Sequence, residues 1–430
     1  MSATIVARSE SSFTVQVEIP YGSSMLDFEQ TIQERLNQAG VVATQEALQQ
    51  FDTDGSPITV GPVKFTSKGQ LPKDYQTPYG VATVARHVYQ SPQGGKTYCP
   101  LDRDARIIVS STPRFAKMIA HKYAEFGSGR VLLDLEENHG RKVARSFIQN
   151  VADAVATVAL AQEESWDYAP PKLEHPVSTI TLGLDGTCLL MCEDGWRETM
   201  VGTIGFYDQA GERQHTIYRA ATPEYGKATF LDRMEREIER VKAAYPQAHY
   251  LGIADGAGGN WDFLGRHTEA QVVDFWHAAE YLGKAAAVIY RGQPETRQRW
   301  MDENCHTLKH DPGGAGTVLK RLKSLAKVRP WAKADEAVQR AITYFTNQSG
   351  AGRMDYAPRV AAHEPIGSGV TEAACKVLVK QRLCGSGMKW KEPGAAAVLS
   401  VRCLTYTAER WNQFWSKIDR YGFPVAAERR

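Results

Sequence analysis

The chain has 430 residues, of which 43% are hydrophobic and 23% charged, the make-up of a globular protein with a sizeable core and room for two to three domains. No run approaches the ~18–20 apolar residues of a membrane span. The start, MSATIVARSESSFTVQVEIP, lacks the basic head and apolar run of a secretory signal, so a cytoplasmic location is expected. The formal net charge of +2 conceals an asymmetry: residues 284–430 carry 25 Lys and Arg against 13 Asp and Glu, whereas residues 1–283 carry 26 against 36. A basic C-terminal third is the footprint of a polyanion-binding surface, or else a solvated helical face.

Residues 1–110 read as a small α+β region, with a β-like run over Phe13–Ile19, a helix-like stretch near Leu26–Leu36 and the alternating segment YGVATVARHVY. From 111 to 165 the pattern is helical. Pro113 opens a helix, VLLDLEEN forms a second, His139-Gly140 breaks the chain, and a third runs from Arg141 with Val143, Phe147, Val151, Val155 and Val158 at helical spacing. This is the layout of a helix-turn-helix module, which would set Arg141, Lys142, Arg145 and Gln149 in a DNA groove; a helical linker domain fits the pattern equally well. WDYAPPKLEHP (166–176) is a linker.

Over 177–290 the order is strand (PVSTITLGLD), strand (198–208), strand (215–221), amphipathic helix (TFLDRMEREIERVKAAYP), strand (HYLGIAD), then a fifth strand and a helix within QVVDFWHAAEYLGKAAAVIY. Residues 291–360 form a basic, all-helical insertion in which Lys320, Arg321 and Lys323 surround an apolar stripe. Residues 361–430 resume the core with a helix over about 370–383 and end in a closing, interrupted helix. The expected fold class is therefore α/β: a ribonuclease H-like core with an all-helical insertion, preceded by the α+β region and the helix-turn-helix-like domain.

Asp185 and Asp255 each close an apolar strand and precede a Gly, a placement suited to a hard cation; Glu372 follows 117 residues later near a helix start. Singly these are weak signals, since DG is a common turn and an acidic side chain favours any helix N-terminus. In a ribonuclease H-like sheet the three converge, and can hold two Mg²⁺ ions, with Mn²⁺ as a substitute, ~3.5–4 Å apart for in-line displacement at phosphorus. His277, three residues after Asp274, would touch the scissile phosphate or orient a ligand, or is simply a packed histidine. Lys376 and Lys380 lie one and two turns beyond Glu372, and Arg382, Lys389 and Trp390 extend that patch towards DNA; Trp390 would stack on an unpaired base or pack in the core.

The blocks GLDGT (183–187), ADGAGGNWDFL (from Ala254), VDFWHAAEYL (273–282) and GSGVTEAACKVLVKQRLCGSGMKW (367–390) resemble the signature blocks of bacterial insertion-sequence DDE transposases of the ISKra group, over roughly residues 75–390. The resemblance implies Mg²⁺-dependent cleavage at terminal inverted repeats followed by strand transfer. It implies the triad Asp185, Asp255 and Glu372, double-stranded DNA (element ends and target) as partner, a dimer or higher assembly on DNA and a nucleoid-associated place in the cell. One departure stands out. HVYQSPQGGKTYCPLD holds a single cysteine, so a zinc-knuckle form of that region is unavailable; the seven cysteines, at 99, 188, 192, 305, 375, 384 and 403, include no CxxC pair. Three alternatives stay open: a ribonuclease H-like nuclease or resolvase without joining activity, a catalytically silent transposase-derived DNA-binding protein, and, more remotely, an actin-like ATPase.

Overall fold

A computed structural model of the chain describes residues 3–224, 226–256 and 258–423. The protein is mixed α/β, and the chain divides into two compact units: residues 1–166 with 400–405 and the segment from 410 on, and residues 167–399 with 406–409. The boundary after Trp166 falls at the start of the Pro-rich linker, whose residues 166–173 have no regular structure. No helix among the described residues is long and apolar enough to cross a membrane.

The first unit opens with an antiparallel hairpin, β1 (Ala3–Arg8) and β2 (Phe13–Val17), followed by α1 (Met25–Gln49), which Ser24 caps through its hydroxyl. The helix runs well past the expected Leu36 because its second half carries Val41 and Leu48 into a small core with Tyr75, Ala82 and Val84. An antiparallel sheet follows in the order β3 (Ile58–Val60), β4 (Val63–Gln76), β5 (Val81–Ser91), β6 (Gly94–Tyr98). After the short α2 (Pro100–Asp104) come α3 (Pro113–Glu125), α4 (Ser128–His139) and α5 (Arg145–Ala161).

Gly140, at φ 61°, ends α4 in the left-handed conformation that glycine tolerates best. The third helix starts four residues later than its periodicity suggests. Arg141 is pulled out of helical geometry: its N–H reaches back to the Leu135 carbonyl (2.8 Å), and its Nε donates to Thr77 O (3.0 Å).

The second unit is built on a five-stranded sheet in the order β9-β8-β7-β10-β11, with β7 (Thr179–Met191), β8 (Gly195–Tyr207) and β9 (Arg213–Ala221) antiparallel, and β10 (His249–Ala254) parallel to β7. The crossover is α6 (Ala228–Ala244), whose Phe230, Met234, Ile238 and Val241 are fully buried. It lies close over the sheet because Gly202 of β8 has no Cβ; one built there would come within 2.4 Å of Met234 Sδ. Then follow α7 (Gly258–His267), β11 (Ala270–Val273), parallel to β10, and α8 (Phe275–Ile289).

Between 294 and 361 everything regular is helical: α9 (Pro294–His310), α10 (Gly314–Val328), α11 (Pro330–Lys333), α12 (Glu336–Gly350) and α13 (Tyr356–Ala361). These helices share one core with the sheet, since Trp300, Val318, Leu322 and Phe345 join the cluster that holds Ile180, Leu182 and Leu184. A continuous helical rod then runs from Gly369 to Leu383 as α14 (Gly369–Ala374), a π-helical turn (Cys375–Lys380) and α15 (Gln381–Leu383).

The closing helix is interrupted as expected: α16 (Glu392–Tyr406) breaks near Glu409 (φ 67°) before α17 (Arg410–Tyr421). Residues 400–405 and α17 belong to the first unit. There the fully buried Arg402 donates to the Ala124 carbonyl, and Phe414 packs on Trp166 (centroids 5.7 Å apart).

Candidate metal-binding cleft

Along β7 the side chains alternate. Ile180, Leu182 and Leu184 enter the core, whereas Thr181, Gly183 and Asp185 face the other way. Gly183 is what lets α14 lie against the strand: a Cβ there would stand 2.0 Å from Thr371 Oγ1, and Thr371 bonds instead to Thr203 Oγ1 of β8 at 2.7 Å. Glu372, the next residue, thereby reaches the face from which Asp185 projects.

Asp185 does not end its strand, as the sequence suggests, but sits in the middle of β7, which runs on through Gly186 to Met191. No turn is needed at Gly186; its missing Cβ makes room for Glu198 of β8. The Asp185 carboxylate accepts from its neighbour's N–H (Gly186 N, 2.7 Å) at Oδ1 and from Cys375 Sγ (3.3 Å) at Oδ2. Burial, and then the adjacent carboxylate, push the Cys375 thiol well above its ordinary range, so it remains a neutral donor.

Asp255 follows the last residue of β10. β10 pairs with β7 in a parallel register as far as Ile253 opposite Gly183, two positions short of Asp255 and Asp185. Here the Gly does turn the chain, with Gly256 at φ 117°, and Tyr344 of α12 donates its hydroxyl to the Asp255 carbonyl (2.9 Å). Ala257, within the same sequence block, lies outside the described residues.

Glu372 stands between two sets of neighbours. On one side it shares a 660 Å³ cleft with Asp185, Lys376 and Lys380. On the other it meets Asp274 and His277: these three offer ligand atoms that all lie within 4.8 Å of one another, a grouping that could hold a metal ion. Asp274 is fully buried and caps α8, accepting from His277 N (2.9 Å), while its second oxygen accepts from both the N–H and the hydroxyl (2.8 Å) of Ser368. His277 Nδ1 lies 3.5 Å from Asp274 and 3.6 Å from Glu372 without a hydrogen bond to either. A buried ring nitrogen facing two carboxylates, with no hydrogen-bond partner of its own, fits a site for a cation.

The residues expected to meet DNA are placed in two ways. Lys376 and Lys380 are exposed and line the cleft, and Lys389, Lys320, Lys323 and Gln149 are exposed as well. Arg141 is 6% exposed, with its guanidinium bonded to Thr77 O and Gln76 Oε1 (2.7 Å) and stacked over Phe115. Arg145 donates to Ser128 Oγ (2.8 Å), Lys142 pairs with Glu136 (3.1 Å), and Arg321 reaches Asn304 Oδ1 (3.2 Å) on α9.

Arg382 is 4% exposed and lies over the ring of Trp390. Trp390 in turn donates its indole N–H to Leu383 O (2.8 Å) and continues the sheet by a single bridge to Met191. Its position is one of packing.

Sequence reasoning passes over Ser368, Cys375 and Tyr344. Only Ser368 carries a usable signal, a hydroxyl residue four positions before Glu372 at a helix start. No family model matches the chain, and no curated protein matches it.

Proposed function

We propose that the protein is a DNA transposase that cuts DNA at the ends of an insertion sequence and joins the freed strands to a target, using divalent cations held by Asp185, Asp255 and Glu372. The observation that carries this reading is the cleft itself. Two carboxylates from sequence positions far apart converge there, beside two lysines spaced one and two turns along the same helix. The strand order β9-β8-β7-β10-β11, with the first three antiparallel and the last two parallel to β7, supports a ribonuclease H-like core, and the helices of 294–361 stand where an insertion between the second and third carboxylates would.

Bound divalent cations, Mg²⁺ or Mn²⁺, would supply the Lewis acidity and the lowered pKa of an attacking hydroxyl that phosphodiester chemistry needs at neutral pH. The chain's own residues do the rest. The carboxylates bind the cations, Cys375 holds Asp185 in place, and Lys376 and Lys380 clamp phosphates on either side of the cut.

The test is incubation of the purified protein with labelled element-end DNA, with and without Mg²⁺. Nicking and joined products are expected, both lost in Asp185→Asn, Asp255→Asn and Glu372→Gln with end binding retained. Full cleavage by any one of these variants overturns the assignment. Nicking without joining assigns the protein to the nucleases.

A further inference from the structure

We propose that Asp274 is a positioning residue that sets the Glu372 carboxylate through Ser368. The inference rests on the reading of Glu372 as a metal ligand, and it concerns how that ligand is aimed. Asp274 follows β11 directly and Glu372 belongs to α14, which begins 95 residues after Asp274 in the chain, so only tertiary contact links them. The link is a pair of helix starts. Asp274 caps α8 with one oxygen, and Ser368 occupies the cap position of α14.

Ser368 spends its hydroxyl unusually. It makes no capping bond to its own helix; it lies 2.8 Å from Asp274 Oδ2 and 3.0 Å from Glu372 Oε1. A hydroxyl has one proton to donate, so that proton is shared between the two carboxylates or serves one of them at a time, and the Ser368 N–H, also bonded to Asp274, holds the hydroxyl between them. Every hydrogen bond described at Asp274 comes from a donor: His277 N, Ser368 N and Ser368 Oγ. An amide in its place would turn an NH₂ group against one of those donors, so the carboxylate is required rather than any polar group of that size.

Orienting partners of metal ligands typically affect metal affinity ~10–100-fold. Ser368→Ala removes the hydroxyl and leaves Asp274, the Ser368 N–H and Glu372 in place. In the full chain, Mn²⁺ binding followed by electron paramagnetic resonance should weaken about tenfold in Ser368→Ala and at least as much in Asp274→Asn. In Ser368→Ala the half-saturating Mn²⁺ for strand cleavage should rise in parallel, while the rate at saturating Mn²⁺ and the affinity for DNA stay at wild-type values. That split separates aiming of a ligand from general damage to the fold.

Wild-type Mn²⁺ affinity in Ser368→Ala, alongside lost affinity in Glu372→Gln, overturns the positioning role alone. Wild-type affinity in Glu372→Gln overturns the metal-ligand reading beneath it. If Asp274→Asn does not fold, Ser368→Ala decides by itself.

Discussion

Two basic stretches look alike in the sequence, RKVAR at 141–145 and KVLVKQR at 376–382, and each buries one guanidinium and exposes its other cations, but only the second lines the cleft. In the first, Arg141 is sunk between Thr77, Gln76 and Phe115, Arg145 is tied to Ser128, and Lys142 to Glu136. In the second, Lys376 and Lys380 extend into the cleft with Glu372, and only Arg382 turns inward, over Trp390. The difference teaches that a run of cations reports charge and not availability. A guanidinium with five donors is well suited to satisfying several buried acceptors at once, whereas an ammonium on a flexible stem readily stays in water.

The largest effects should come from the buried guanidinium groups. Arg141→Ala leaves the Thr77 carbonyl and Gln76 amide without their donor, and thermal unfolding should report a loss of about 2–3 kcal/mol. Arg382→Ala should behave likewise, at about 1–2 kcal/mol, because it removes a packed cation from the Trp390 face. Neither change should alter the salt dependence of DNA binding by the intact fold. If Arg141→Ala leaves stability untouched and flattens that salt dependence, the contrast between the two stretches is broken.

A smaller, differently shaped effect is expected at the cleft. Lys376→Ala and Lys380→Ala should each leave unfolding nearly unchanged and lower the slope of log K against log salt by about 0.9 for every duplex phosphate that the variant no longer neutralises. An unchanged slope in the double variant would remove these lysines from the DNA surface. Smallest of all is Lys142→Ala. Its ion pair with Glu136 is largely exposed, and exposed pairs contribute less than about 1 kcal/mol.

Much of the fold is legible in the sequence. Hydrophobic alternation locates β8, β9 and β10 within a few residues and the start of β7, and 3.6-residue periodicity locates α6 and the stripe of α10, with the rest of 294–361 read as helical without its boundaries. The strand that carries Asp185 runs longer than its apolar segment suggests, because Thr187 to Met191 pair with Gly195 to Thr199 across a hairpin that hydropathy does not reveal. The helix of the Arg141 segment begins late because a distant carbonyl claims its first side chain.

The sequence by itself determined which residues could form a core face and that Asp255 follows an apolar strand, since both are properties of neighbours along the chain, whereas the place of Asp185 inside β7 came from pairing across the hairpin. Tertiary structure alone decided that Glu372 comes to share a cleft with Asp185 and an interaction with Asp274, that Ser368 bridges two carboxylates, and that Tyr344 from α12 holds the backbone of Asp255. Apart from Ser368 and Glu372, four positions apart, these contacts join residues dozens to hundreds of positions apart. Local periodicity carries no information about them, and they exist because close packing over glycines such as Gly183 lets a helix rest against the sheet.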